Sequence, residues 1–344
     1  METTALGRPQ RRLSAGRVLR TLAMVAAAAV AAVVVLGKRD EIAGATSYFA
    51  HVRLGWIAIG ALAELMAIVA FAALQVRLLR AGGVQANLGP LTAITFAGNA
   101  LQNSLPGGGA WASVYAFRQF RRLGADEVLS TWMLVAVSGL SAVALAIIAA
   151  VGLAMAQGDA ASLDLVGVIV GVAVLAVGLV LLARRGLVGR VVAGAIRLFQ
   201  RVIGRPRGDV DVFITGTQAR LLAVTPSRTE WLLGLTMAVA NWACDCACLA
   251  VSFLAVGAPV PWRGLILAYG AAQLAANLPI TPGGLGVVEG SLTIALVAYG
   301  GSRASTVAAV LMYRLMSFWA LLLVGWITLG TLGWLHRRQT RAMA

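Results

Sequence analysis

The 344-residue chain is 60% hydrophobic and 12% charged, and its 28 Lys and Arg outnumber its 13 Asp and Glu to give a formal net charge of +15. Soluble domains carry about 25% charged residues, so this composition excludes an ordinary soluble enzyme or nucleic-acid-binding domain and describes an integral membrane protein. The arginines gather in short blocks between apolar runs of about 20 residues, the length that crosses a hydrocarbon core about 30 Å thick, so the charge reports topology.

In chain order the sequence predicts a basic cytoplasmic tail (1–17), a first membrane repeat (18–183), a basic connector (184–228), a second membrane part (229–335) and a cytoplasmic tail (336–344). Six full spans are expected: Val18–Leu36, Leu54–Val76, Val128–Ala156, Leu163–Ala183, Trp231–Val256 and Thr306–Leu335. The first follows Arg8, Arg11, Arg12, Arg17 and Arg20 as a signal peptide would. Its apolar stretch is longer than a signal core and "KRDE" follows it, so a retained anchor is expected.

Two further apolar stretches are interrupted, Leu88–Phe120 by "SLPGGGAW" and Gly264–Tyr299 by "LPITPGGLG". A bilayer interior offers no water to the backbone groups that prolines and glycines release, so neither break can face lipid. Arg77, Arg80, Arg118, Arg121, Arg122, the arginines after Ala183 and "HRRQTR" belong on the cytoplasmic side; "QGDAASLD", "GAPVPW" and "GGSR" belong outside, with Lys38 and Arg39 as mild exceptions. The resulting topology is N-in and C-in. Leu88–Phe120 then begins and ends inside, and Gly264–Tyr299 begins and ends outside, so each reads as a re-entrant hairpin. The order of spans and hairpin repeats with every direction reversed, as in inverted-repeat transporters. Aligning Pro106 with Pro282 gives an offset of 176 residues (282 less 106).

The connector "RRGLVGRVVAGAIRLFQRVIGRPRG" places Val188, Val191, Val192, Ala195, Ile196 and Phe199 on one helical stripe and Arg190, Arg197 and Arg201 off it. Such a helix suits either an anionic leaflet surface or packing against the bundle.

Half-helices that begin inside a membrane expose unpaired N–H groups and the positive end of the helix dipole, which suit a phosphate or carboxylate. The candidate substrate-binding set is therefore Asn103, Pro106, Gly107 and Gly108 at the first break, with Asn277, Pro282, Gly283, Gly284, Gly286 and Glu289 at the second and Arg314 on the last span. Asn99 and Gln102 approach the first break and either satisfy freed backbone groups or contact a headgroup. Glu64 and Asp245 are acids within apolar spans, each costing about 2.5–3.5 kcal/mol at the membrane centre if unpaired, so they should face a cavity or a partner.

Cys244, Cys246 and Cys248 lie within five residues, too close for an ordinary disulfide framework. Asn241, Asp245 and Cys248 share a helical face, but no histidine or second cluster accompanies them, and no metal site is expected. His51 and His336 fall near membrane ends; there is no HExxH, no nucleotide-binding loop and no Ser/His/acid set, so neither an enzyme nor a cofactor is expected.

"TPGGLGVVEG", followed by "MYRLMSFW", resembles the lysylphosphatidylglycerol synthase transmembrane-region family, also called flippase-like or UPF0104, from about Leu54 to Leu335. The version "LPGGGAWASVYAFRQFRRLG" is similar to its actinobacterial branch. In multiple peptide resistance factors of that family a soluble aminoacyl-transferase domain follows the membrane part; no such domain is expected here. By similarity Pro282, Gly283, Gly284, Gly286 and Glu289 match the second motif and Arg314 the arginine of the last span. The first hairpin departs from members with an acid and an arginine after the break, carrying Ala110, Trp111, Ala112 and Ser113 instead.

The resemblance implies a multi-pass flippase or scramblase-like transporter of the bacterial cytoplasmic membrane. Its partners would be membrane lipids with an anionic phospholipid or polyprenyl-phosphate headgroup. Glu289 would meet an amine or sugar hydroxyl, pair with Arg314 or carry a proton. The alternatives are an accessory subunit of a lipid-modifying enzyme and a glycosyltransferase using Asp245 or Glu289 as base.

Overall fold

A computed structural model describes residues 48–49, 52–105, 107–157, 226–276 and 281–342, and the regular structure among them is all helical. The elements are α1 (Leu54–Ala81), α2 (Leu88–Ser104), α3 (Gly108–Arg122), α4 (Glu127–Gln157), α5 (Arg228–Ala255), α6 (Trp262–Ala276), a 3-10 turn (Pro282–Gly284), α7 (Val287–Ala298), α8 (Arg303–Arg314), a π-helical stretch (Leu315–Ala320) and α9 (Leu321–Ala342). The expected spans Val18–Leu36 and Leu163–Ala183, the tail 1–17, most of the connector 184–228, Pro106 and Asn277 lie outside the described residues.

Among the described residues four helical runs are long and apolar enough to cross a membrane: Leu54–Ala81, Glu127–Ala156, Arg228–Ala255 and Arg303–Trp334. They coincide with four of the expected spans, three of them to within a turn, while the helix from Leu54 runs five residues past Val76 to Ala81. At 1.5 Å per residue a 28-residue helix reaches about 42 Å, beyond the hydrocarbon core. By contrast α2, α3, α6 and α7 contain 17, 15, 15 and 12 residues. None of these reaches about 30 Å, so each broken stretch is a pair of short arms joined at its Pro-Gly segment.

Local signals set the helix starts. Ser227 Oγ accepts from the Glu230 N–H (3.2 Å) and Glu230 returns a carboxylate oxygen to the Ser227 N–H (2.6 Å), the reciprocal box that satisfies two of the orphan donors of α5. Asp126 Oδ1 accepts from the Leu129 N–H (2.7 Å) at the head of α4.

The longest packed pair is α1 against α5, and it runs antiparallel. The Arg53 N–H at the start of α1 donates to the Ala255 carbonyl at the end of α5 (3.0 Å). Midway, Asn241 Nδ2 donates to the Ala67 carbonyl (3.0 Å), and near the far end Gly234 lies against Leu74. Each broken pair then lays its first arm on the long helix that closes the other half. Gly325 of α9 sits on the Phe96 carbonyl and Ala100 of α2, where Trp326 Nε1 also donates to Ser104 Oγ (3.0 Å). In the other half Gly152 of α4 meets the backbone of Ile266 and Leu267, and Gly270 of α6 meets Ala149. Ala149 and Gly325 are themselves 176 residues apart, the offset that aligns the two prolines.

Burial follows the same division. One apolar core joins α1 to α2, α3 and α4 through Leu74, Leu78, Leu91, Phe120 and Met133. A second joins α5 to α6, α7 and α8 through Leu249, Phe253, Leu265, Leu292 and Val310. Trp242 packs against both, and the polar residues of the candidate site lie between them.

The small residues at the helix crossings give a test. A methyl group at Gly152 would press 2.8 Å from the Leu267 Cα, on backbone that cannot rotate away, whereas one at Gly139 on the same helix meets nothing within 4 Å. Gly152→Ala is expected to destabilise the detergent-purified protein by about 1–3 kcal/mol, the usual cost of overpacking. Gly139→Ala should be neutral or mildly stabilising, since alanine favours a helix by about 1 kcal/mol over glycine. Thermal unfolding of the two variants side by side measures the difference.

Candidate functional site

Both Pro-Gly breaks open onto one cavity of about 1370 Å³ between the two cores. Gly107, Gly108 and Gly109 line it from the first break, and Thr281 and Gly283 from the second. Its remaining polar wall includes Asn99, Gln102 and Asn103 on α2, Asn241 on α5 and Gln273 on α6. Glu64, Asp245 and Arg314 are the charged residues among those lining it.

At the first break α2 ends in extended backbone at Leu105 (φ −107°, ψ 142°), and Gly107 turns the chain through the left-handed region (φ 64°) to start α3. The turn is so close that a methyl group on Gly108 would overlap the Gln102 carbonyl. Glycine at both positions is therefore a steric demand of the bend. Asn103 Nδ2 donates to Asn99 Oδ1 (2.7 Å), so this pair satisfies one another one helical turn apart. Pro106 itself lies outside the described residues.

The second break is held from the last span. Thr281 Oγ1 donates to the Leu285 carbonyl (2.9 Å), closing the turn that begins at Pro282. Gly283 has φ 61°, and its carbonyl accepts from Arg314 Nη2 (3.0 Å). Arg314 Nε donates to Glu289 Oε1 (2.7 Å), while Glu289 Oε2 accepts from the Gly286 N–H (2.6 Å) at the head of α7. The guanidinium lies 4.3 Å from the centre of the Phe318 ring. A methyl group on Gly283 would collide with that ring and come within 2.9 Å of the Asn103 carbonyl, so the two breaks touch here. Gly284 (φ 67°) is buried behind the turn and Gly286 (φ 81°) leads into α7.

This arrangement sharpens the expectation for Glu289. A carboxylate three residues into α7 satisfies the helix's own exposed N–H and its positive end, and Arg314 neutralises it. Glu289 is thus committed to the frame, and Arg314 presents the charge that lines the cavity. Asn277 lies outside the described residues.

The acids lie elsewhere in the same cavity. Asp245 accepts from Tyr313 Oη at Oδ1 (2.8 Å) and from Tyr269 Oη (2.7 Å) and Gln273 Nε2 (3.1 Å) at Oδ2. Glu64 faces Asp245 and Cys248 from α1 and is only 4% exposed. Sequence reasoning placed Glu64 and Asp245 in apolar spans but missed Tyr269, Gln273 and Tyr313. The available signals were the four-residue spacing of Tyr269 and Gln273 and the position of Tyr313 beside Arg314 in "MYRLMSFW".

The π-helical stretch after Arg314 was also not legible. It carries Met316 against Gly60 of α1 and places Ser317 and Phe318 in the cavity wall beside Arg314. Single π turns of this kind often occur at functional sites.

Comparison with known proteins places this geometry in context. The sequence pattern of the lysylphosphatidylglycerol synthase TM region matches residues 21–325. A UPF0104 membrane protein of Methanothermobacter thermautotrophicus is 40% identical over 106 residues. That stretch covers 30% of this chain and 30% of the relative.

The Arg314 contacts generate a stability prediction. Arg314→Leu leaves the Glu289 carboxylate and the Gly283 carbonyl without their shared donor, and loss of one partner from a largely buried pair costs about 3–5 kcal/mol. Glu289→Gln keeps one of the two acceptor oxygens, enough for either the Gly286 N–H or Arg314 Nε but not both in the present geometry, while Arg314 keeps the Gly283 carbonyl, so it should cost about 1–3 kcal/mol. Thermal unfolding of both variants checks the order, and a larger loss for Glu289→Gln would contradict it.

Proposed function

The chain belongs to the lysylphosphatidylglycerol synthase transmembrane-region family, and from that premise we propose that it moves an amphipathic lipid across a membrane. The headgroup passes through the shared cavity while the acyl or prenyl chains stay in lipid. The observation that carries this reading is that two backbone breaks line one cavity whose largely apolar wall also carries amides, Glu64, Asp245 and Arg314. A bilayer tolerates irregular backbone where it is buried in protein or borders such a cavity.

The two broken pairs act as re-entrant hairpins entering from opposite faces. Three observations support that part of the reading. The arms are too short to cross singly, the corresponding helices α1 and α5 run antiparallel, and each first arm packs on the closing helix of the other half. Inverted repeats that meet near the membrane midplane are the architecture of many transporters. In this reading both ends of the membrane domain lie in the cytoplasm, with support from the basic blocks, and the membrane is the bacterial plasma membrane.

Arg314 holds the anionic part of the headgroup, a phospholipid or polyprenyl phosphate, on the side of the second break. Its paired Glu289 keeps the guanidinium fixed and pointing inward. The neutral amides of Asn99, Gln102 and Asn103 contact the headgroup from the first break, where no charged residue stands. The reading involves transport and no covalent step.

The test is reconstitution into vesicles containing acyl-labelled phosphatidylglycerol or labelled polyprenyl phosphate, with an impermeant quencher reporting headgroup position. Wild-type protein should exchange label between leaflets. Arg314→Gln should slow exchange about tenfold, equivalent to about 1.4 kcal/mol at the barrier. Ser138→Trp, at an exposed position that lines the cavity, should slow it without loss of thermal stability. Folded wild-type protein that moves no bacterial lipid class would overturn the proposal.

A further inference from the structure

The acid pair in the cavity is not used by the headgroup contacts above, and its surroundings are unusual. Glu64 is 4% exposed, and its Oε1 has no hydrogen-bond partner. The donors that surround it are already engaged. A tyrosine hydroxyl has one hydrogen to give, and both Tyr269 and Tyr313 give theirs to Asp245. Gln273 Nε2 also points to Asp245 and to Tyr313 Oη (3.3 Å). Arg314, the cation of the cavity wall, is held by Glu289 and Gly283.

Asp245 therefore accepts three hydrogen bonds, from donors on α6 and α8. Glu64, pressed against it from α1, has the Cys248 thiol for company and no counter-charge. Two carboxylates in contact inside a membrane protein do not both stay ionised without a cation between them. A metal cation does not fit the vacancy in charge, because hard cations take six or more oxygen ligands. Here Asp245 already accepts three hydrogen bonds, and α1 and α5 continue as regular helices through the site, with their carbonyls in their own ladders, so too few oxygens remain for such a shell. One proton meets the need with no further ligand.

We propose that Glu64 and Asp245 together hold a single proton, carried on Glu64, and exchange it with the cavity, so that lipid movement is coupled to proton movement. The coupling rests on the transport reading of the preceding subsection; the proton on the pair does not. Loss of the proton to cavity water leaves two facing carboxylates across the α1–α5 contact. The resulting repulsion acts on the antiparallel pair that joins the two halves. The titratable groups that face the pair are Cys244, Cys246 and Cys248 on α5, Tyr269 on α6 and Tyr313 on α8, with Arg314 the neighbouring cation.

Two measurements on the full chain test the two parts. Infrared spectra of the purified protein at neutral pH should contain a carboxylic-acid C=O band from a group shielded from solvent. The band should vanish in Glu64→Gln and shift in frequency in Asp245→Asn, each checked for folding by its helical circular dichroism. Absence of the band in wild type, or its persistence in Glu64→Gln, overturns the proton assignment whether or not any lipid moves. In vesicles carrying trace acyl-labelled phosphatidylglycerol, a pH step of one unit should drive about a tenfold leaflet asymmetry of the label at one proton per lipid. Glu64→Gln should exchange the label to equal leaflets under the same gradient. Equal leaflets with wild type overturns the coupling, while no exchange at all overturns the transport reading and leaves the infrared result to stand by itself.

Discussion

Backbone polar groups freed inside a membrane need partners from the protein, and that constraint organises the centre of this structure. At the second break the partner is Arg314. One guanidinium satisfies the Gly283 carbonyl, pairs with the carboxylate that caps α7, and lies over Phe318. A single side chain from the last span thereby fixes the turn, the start of the following half-helix and one wall of the cavity. The first break has no such arginine and relies on contact: Gly108 against the Gln102 carbonyl, and Asn103 against the turn at Gly283. The less polar break leans on the more polar one.

Packing explains how two weak points come to face each other. Antiparallel packing of α1 on α5 forms a central crossing, tied by Arg53 to Ala255 and by Asn241 to Ala67. With α2 packed onto α9 and α6 onto α4, the Asn103 carbonyl before the first break comes against the turn at Gly283 in the second. Close approach at Gly152, Gly270 and Gly325 follows from the medium. Lipid tails are as apolar as leucine side chains, so helices associate through backbone proximity and shape where small residues permit it.

Charge is segregated within the cavity. Arg314 and Glu289 neutralise one another beside the second break, whereas Asp245 takes its stabilisation from two phenols and an amide, and Glu64 lies against it. Had Arg314 paired with Asp245, the cavity would hold a neutral ion pair and the second break would lose its carbonyl partner. The observed division keeps a fixed cation near the break and leaves the acids to a separate hydrogen-bonded cluster.

Composition and period settled a great deal. A charge content of 12% and apolar runs of membrane length dictate a helical membrane protein. The four described spans fall where hydropathy puts them because partition into lipid depends on local composition alone. The two breaks were equally legible, since proline and glycine act on their own backbone whatever surrounds them. What the linear chain did not disclose was which polar groups meet. Asp245 takes its donors from positions 24, 28 and 68 residues away, and Glu289 finds Arg314 25 residues on. In a helix apolar on nearly every side, periodicity does not say which face turns inward. For Glu289 the sequence left three roles open, a headgroup contact, a pair with Arg314 or a proton site, and the structure shows the pair, together with a bond to its own helix end. The sequence determined that charges had to be satisfied; the crossing of α1 with α5 and the contact of the two breaks decided by whom, because only packing brings distant helices within the reach of a hydrogen bond.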